Sequence, residues 1–178
     1  MNATKTVENW FERRAQAEVK KDKIPYSERI GSVVAIILGV LVFFYFVAHQ
    51  MWATGFFTAA FGILEVSLFY GVMVLEIVPN AMKVLFGRKN LARFFEALAA
   101  VLSVVALAWF FVVFPFNFAY FADALPDFLR FLLQWISNDI VGGLMVLGLI
   151  VAPIVAVYQA LVYVFVRREL AKPASKNA

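Results

Sequence analysis

All but one of the 16 Lys and Arg residues fall in three patches, separated by long stretches that carry almost no basic charge. The first patch is residues 1–29, with Lys5, Arg13, Arg14, Lys20, Lys21, Lys23 and Arg29. The second is residues 79–96, with Lys83, Arg88, Lys89 and Arg93. The third runs from Arg167 through Arg168 and Lys172 to Lys176. Of the intervening connectors, only the second holds a basic residue, Arg130. Basic loops are retained on the cytoplasmic side of a bilayer. The alternation therefore predicts four crossings of the cell membrane, with both termini cytoplasmic.

Composition agrees. The chain is 63% apolar with a mean hydropathy of +0.83, against about 45–50% apolar for a soluble domain. The expected fold class is all-α: a polytopic integral membrane protein with four transmembrane helices as two antiparallel hairpins. An amphipathic N-terminal helix and an outer interfacial helix complete it. The net charge of +4 is explained by positive-inside retention and contact with acidic lipid, so no nucleic-acid partner is expected. The absence of cysteine excludes disulfides, thiolate catalysis and thiolate metal sites. A single histidine, His49, excludes multi-histidine sites within one chain. No cofactor is expected.

Residues 1–29 form a cytoplasmic basic segment, too long and too polar ahead of the first apolar run for the n-region of a cleavable signal. Residues 4–23 read as an amphipathic helix with Val7, Trp10 and Phe11 on its apolar side, suited to the inner leaflet surface. Pro25 ends it, and Ser27 can cap the next helix. The crossings are expected near 30–48, 56–78, 91–114 and 140–166, all within one domain, 30–166. A basic cytoplasmic tail, 167–178, follows. Between crossings three and four, Leu125, Phe128, Leu129, Leu132, Leu133 and Ile136 recur at near-helical spacing over about 125–136. That stretch is too short to span a bilayer and reads as an interfacial helix. Arg93 and Glu96, one turn apart, can pair.

Two ladders of small residues at four-residue spacing, Gly31, Ala35 and Gly39, and Gly148, Ala152, Ala156 and Ala160, allow close helix approach. They do not say whether the approaching helix belongs to the same chain. The expected partners are the lipid bilayer and other membrane helices, as a homo-oligomer or a membrane complex.

The candidate polar site is Glu65 and Glu76, about three turns apart on one helix face and so roughly 16 Å apart. An unpaired carboxylate at mid-membrane costs about 2.5–3.5 kcal/mol or more when charged. Glu65, deep in the expected second crossing, then serves either a proton or cation pathway or a structural hydrogen bond to a neighbouring helix, with Ser103 or Gln159 available. Glu76 lies nearer the inner interface. His49, at the outer end of the first crossing, is a weaker candidate for ligand binding or pH sensing. Asp123, Asp127 and Asp139 are separated acids suited to capping helices. No nucleophile–base set, metal motif or phosphate loop is present, so a non-enzymatic role is expected. The first reading is an accessory or assembly subunit; the alternative is a small oligomeric channel or a proton- or cation-linked carrier using Glu65.

The topology has a direct test in this cysteine-free chain. Cysteines introduced at Lys5 and Lys172 should react with an impermeant thiol reagent only from the cytoplasmic side, and one at Asn138 only from outside. Labelling of either terminus from outside would overturn the arrangement.

Overall fold

The computed structural model describes residues 3–20 and 22–172. Lys21 and Lys176 lie outside the described residues, as do the side chains of Lys5 and Val7. The chain is all-helical, with no strand among the described residues. In order it forms α1 (Ala3–Lys20), α2 (Tyr26–Met51), α3 (Ile63–Phe86), α4 (Lys89–Val113) and α5 (Asn138–Leu170). Two short 3₁₀ turns, Phe118–Tyr120 and Asp127–Leu132, precede α5. Helices α2 to α5 are each long and apolar enough to cross a membrane. Their outward surfaces carry residues such as Leu41, Phe44, Ile150 and Ile154, all more than half exposed. Apolar surface of this extent is stable against hydrocarbon and costly against water.

The helix boundaries have local causes. Pro25 is the N-cap of α2, so Ser27 falls in the first turn and caps nothing. Beyond Met51 the chain reverses through Ala53 and Gly55, both at positive φ. Residues 52–62 are not helical, and α3 begins at Ile63 rather than near residue 56. The irregular stretch is stabilised by pairing with the segment after α4. Thr58 N–H donates to Pro115 O at 3.0 Å, and Asn117 N–H donates to Phe56 O at 2.7 Å. Phe56 and Pro115 are fully buried there. Pro79 does not end α3, which continues to Phe86; Pro153 likewise lies within α5. The stretch expected as an interfacial helix over 125–136 is instead a six-residue 3₁₀ helix, Asp127–Leu132, begun after Pro126. Its polar anchor is Arg130, paired with Asp127 at 3.3 Å and Asp123 at 3.5 Å.

Each of α2, α3 and α4 packs on the next helix in sequence, and α1 packs on α5. The spine is α4, which buries Ala92, Ala97, Ala99 and Ala106, whereas α2 buries only Ser32 and His49. Small residues let helices approach closely, where dispersion contacts are strongest. The second ladder is used within the chain: a Cβ at Gly148 would come 2.9 Å from Leu107 Cδ2, and Ala156 is buried. The first is used only at Gly39, whose Cβ would lie 3.1 Å from Ile77 Cγ1. Gly31 has nothing within 4 Å, and Ala35 is exposed. Helix α1 is docked by Ala15 against Val162 and Val166 and by Phe11 stacked on Phe165 at 5.3 Å.

The unequal ladders yield a paired prediction. Gly148→Ile should lower the unfolding free energy in detergent by about 1–3 kcal/mol through overpacking against α4. Gly31→Ile, with open space around it, should leave the stability of the isolated protein nearly unchanged. Equal losses in thermal unfolding would contradict the assignment of the two faces.

Candidate functional site

Within the apolar helices, polar side chains occur in three places with different surroundings. The first is the start of α3. Gly62 is its N-cap and Glu65 occupies the third helical position, from which its side chain reaches back to the N-cap amide. Glu65 Oε2 accepts the Gly62 N–H at 3.0 Å, and Oε1 accepts the Trp109 indole N–H at 2.9 Å. The side chain is buried, and each oxygen has a donor. A carboxylate at a helix N-terminus satisfies an orphan amide and the helix dipole together. Glu65 therefore lies in the first turn of α3, not in its middle. The physical reason is the late start of that helix.

The second place is the end of α2. His49 is 1% exposed. Its Nε2 lies 3.1 Å from the carbonyl oxygen of Phe121, which can only accept, so Nε2 carries the hydrogen. Its Nδ1 then accepts from the Thr54 hydroxyl at 2.6 Å. Tyr45 O–H donates to the same Phe121 carbonyl. The imidazole lies parallel to the Phe121 ring and tilted against Phe56. Both ring nitrogens are thus occupied by the chain itself, tying α2 to the segment before α5.

The third place is a groove floored by α4 and walled by α3 and α5, with a volume of about 480 Å³. Glu76, near the middle of α3, projects into it and is exposed. Its Oε1 accepts the Ser103 hydroxyl at 2.7 Å. Toward residue 86 of α3, Lys83 pairs with Glu96 at 2.5 Å, and Asn80 donates to the Glu76 carbonyl at the limiting distance of 3.5 Å. The α5 wall is Gly148, Val151, Ala152, Val155 and Gln159. The Gln159 carbonyl oxygen is buried without a hydrogen-bond partner. Pro79 and Pro153 lie in the two walling helices, and each removes an N–H that would bond the carbonyl four residues earlier.

The expected Arg93–Glu96 pair does not form. Glu96 turns to Lys83, while Arg93, 7% exposed, is taken by Glu18 of α1 at 2.5 Å and Asn90 at 3.0 Å. Burial would raise the Glu18 carboxyl, but the Arg93 hydrogen bond and the charges of Lys89, Arg93 and Arg14 outweigh it and hold it below the usual carboxylate range. Among the described residues no cluster of His, Asp or Glu is arranged to hold a metal ion.

The groove was only partly visible in the sequence, because its residues come from three helices. Ser103 and Gln159 stood out as polar residues in apolar runs, but Asn80 and Lys83 fell outside the expected crossing 56–78, beyond a proline that left the course of the helix open. The role of Glu65 had a readable sign: Gly62 followed three residues later by an acid is a helix-start pattern. No family model matches the chain, and no curated protein or solved structure matches it.

Glu65→Ala should leave the Trp109 indole without its acceptor and remove one of the two acceptors of the Gly62 amide, whose other is Ala60 O at 3.1 Å, and should lower stability by about 1–3 kcal/mol. Glu76→Ala, which removes an exposed acid, should not. Thermal unfolding of the two variants in the same detergent distinguishes a structural Glu65 from a dispensable one.

Proposed function

We propose that this protein is a non-enzymatic integral membrane subunit whose α3–α4–α5 groove receives a membrane helix of a different protein, bearing a hydrogen-bond donor or cation opposite Glu76. In this reading the helices cross the cell membrane as two antiparallel hairpins with both termini cytoplasmic. The observation that carries it is the exposure of Glu76 in the middle of an apolar helix. A charged carboxylate facing hydrocarbon costs several kcal/mol, and Ser103 supplies only one hydrogen bond. The second Glu76 oxygen calls for a donor on the occupant. The small side chain of Ala152 in the wall leaves room for it.

A second copy of this chain is a poor match for the groove. The cations of α2 to α5 (Arg29, Lys83, Lys89, Arg93, Arg167 and Arg168) all lie toward the Tyr26, Phe86, Lys89 and Leu170 ends of these helices, and the one that lines the groove, Lys83, is already paired with Glu96. This favours a heteromeric complex over a homo-oligomer. The alternative, a small oligomeric channel or a proton- or cation-linked carrier using Glu65, is less favoured here because each Glu65 oxygen accepts a hydrogen bond within the chain.

The test is site-specific photo-crosslinking from Val155 in native membranes. It should capture a discrete polypeptide whose membrane segment carries Lys, Arg or His. Glu76→Leu should reduce the adduct about tenfold or more, in line with the loss of a charge-assisted contact. The same variant should melt no lower than the parent as an isolated protein. Capture of lipid alone, or an adduct indifferent to Glu76→Leu, would overturn the proposal.

A further inference from the structure

We propose that the pocket enclosed by α1, α4 and α5 binds a phosphate-bearing anion, either an acidic phospholipid headgroup or free phosphate, through Arg14, Lys89 and Arg93. The pocket is separate from the partner groove, although Glu96 and Gln159 stand in the wall between them. Its volume of about 260 Å³ accommodates a phosphate ester and its first hydration partners.

The charge balance inside it points to an anion. Three cations line the pocket, against two acids. One acid, Glu96, is neutralised by Lys83 from outside at 2.5 Å. The other, Glu18, is bonded by Arg93 at 2.5 Å and lies 3.8 Å from Lys89. One carboxylate thus serves two cations directly, and Arg14, whose charge also acts on Glu18 and which lies 6.0 Å from the Trp10 ring, adds a third. Purely structural pairing would require only Arg93 and Glu18.

The geometry favours phosphate over a simple halide. Arg93 is buried and held in one orientation, with Nε on Asn90 and Nη2 on Glu18, so its guanidinium is preorganised. Such a fork presents paired N–H donors that match phosphate oxygens, and a neighbouring lysine adds a point charge. The pocket also lies where the apolar helices give way to basic residues. Basic pockets between membrane helices at that level suit lipid headgroups.

Helix α1 supplies Arg14 and Glu18, so the pocket is complete only while Ala15 is docked on Val162 and Val166. A ligand that bridges α1 to α4 must therefore strengthen α1 docking, by the linkage that stabilises any state a ligand prefers.

The full-length chain, delipidated in a nonionic detergent, is titrated separately with sodium phosphate, short-chain phosphatidylglycerol and short-chain diacylglycerol. Binding is followed by native mass spectrometry and amide exchange. An anion should bind at least tenfold more tightly than diacylglycerol and slow exchange in α1. Phosphatidylglycerol alone binding assigns the ligand to lipid; phosphate binding equally well assigns it to the free ion. The double variant Arg14→Gln, Lys89→Gln keeps the Arg93–Glu18 pair and should lose about tenfold in affinity. Arg88→Gln, Arg168→Gln, with the same charge removed outside the pocket, should lose little. The proposal fails if neither anion outcompetes diacylglycerol, if α1 exchange is unchanged on binding, or if the two double variants weaken binding equally.

Discussion

Between α2 and α3 the backbone leaves the helix for residues 52–62; much of this stretch is exposed, but at its centre Phe56 is fully buried among phenylalanine rings. Backbone groups so placed must find partners or cost several kcal/mol each. Their partners come from residues 115–117, held beneath the loop by Pro115 and by Phe114 in a left-handed conformation that ends α4. Much else follows from this pairing. It fixes the start of α3 at Ile63, brings Gly62 and Glu65 under Trp109, and sets the end of α2 against the Phe121 carbonyl that His49 and Tyr45 share. A dense aromatic cluster, including Phe46, Phe56, Phe69, Phe110 and Phe116, fills the space around it. Rings in edge-to-face and tilted arrangements add attraction beyond their buried area.

The opposite end of these helices is held by charge instead of rings. There Lys83 joins α3 to α4, and Glu18 joins α1 to α4 through Arg93. Asp22 O accepts the Lys89 N–H, and Gly87 O accepts the Ile24 N–H. Gly87 needs its lack of a side chain here, since φ is +62° and a Cβ would come 2.2 Å from Arg29 Nη2. The contrast is physical. Aromatic contacts need no water and suit the more apolar end, whereas ion pairs between long side chains gain from partial burial but still require some hydration. Polar grooves accordingly open from the charged end toward the middle.

Hydropathy and charge distribution made the four long apolar helices legible from the sequence, because both depend on composition over about twenty residues. Features set by single dihedrals were not. Residues 56–61 are as apolar as any membrane helix, so nothing in their hydropathy reveals that Ala53 and Gly55 turn the chain and that Phe56 and Phe57 pair with another loop. The 3₁₀ segment at Asp127–Leu132 had a helical apolar pattern, but Pro126 and two acids paired to Arg130 hold it in a tighter, shorter turn. The Arg93–Glu96 pair was plausible by spacing within α4. It lost to partners on other helices, and spacing within one helix carries no information about those.

Glu65 and Glu76 show how little residue type says about role in an apolar setting. The two acids share a helix and very nearly a face. Glu65 sits at the helix start, where the Gly62 amide donates to one of its oxygens and an indole from α4 to the other, so both are bonded within the fold. Glu76 sits where the helix has no free amide to offer and Pro79 disturbs the turn that follows. Only one hydroxyl reaches it, from Ser103 of α4. The same residue type is thus bonded at both oxygens at position 65 and once at position 76, a difference set by where each falls along α3 and not by its own chemistry.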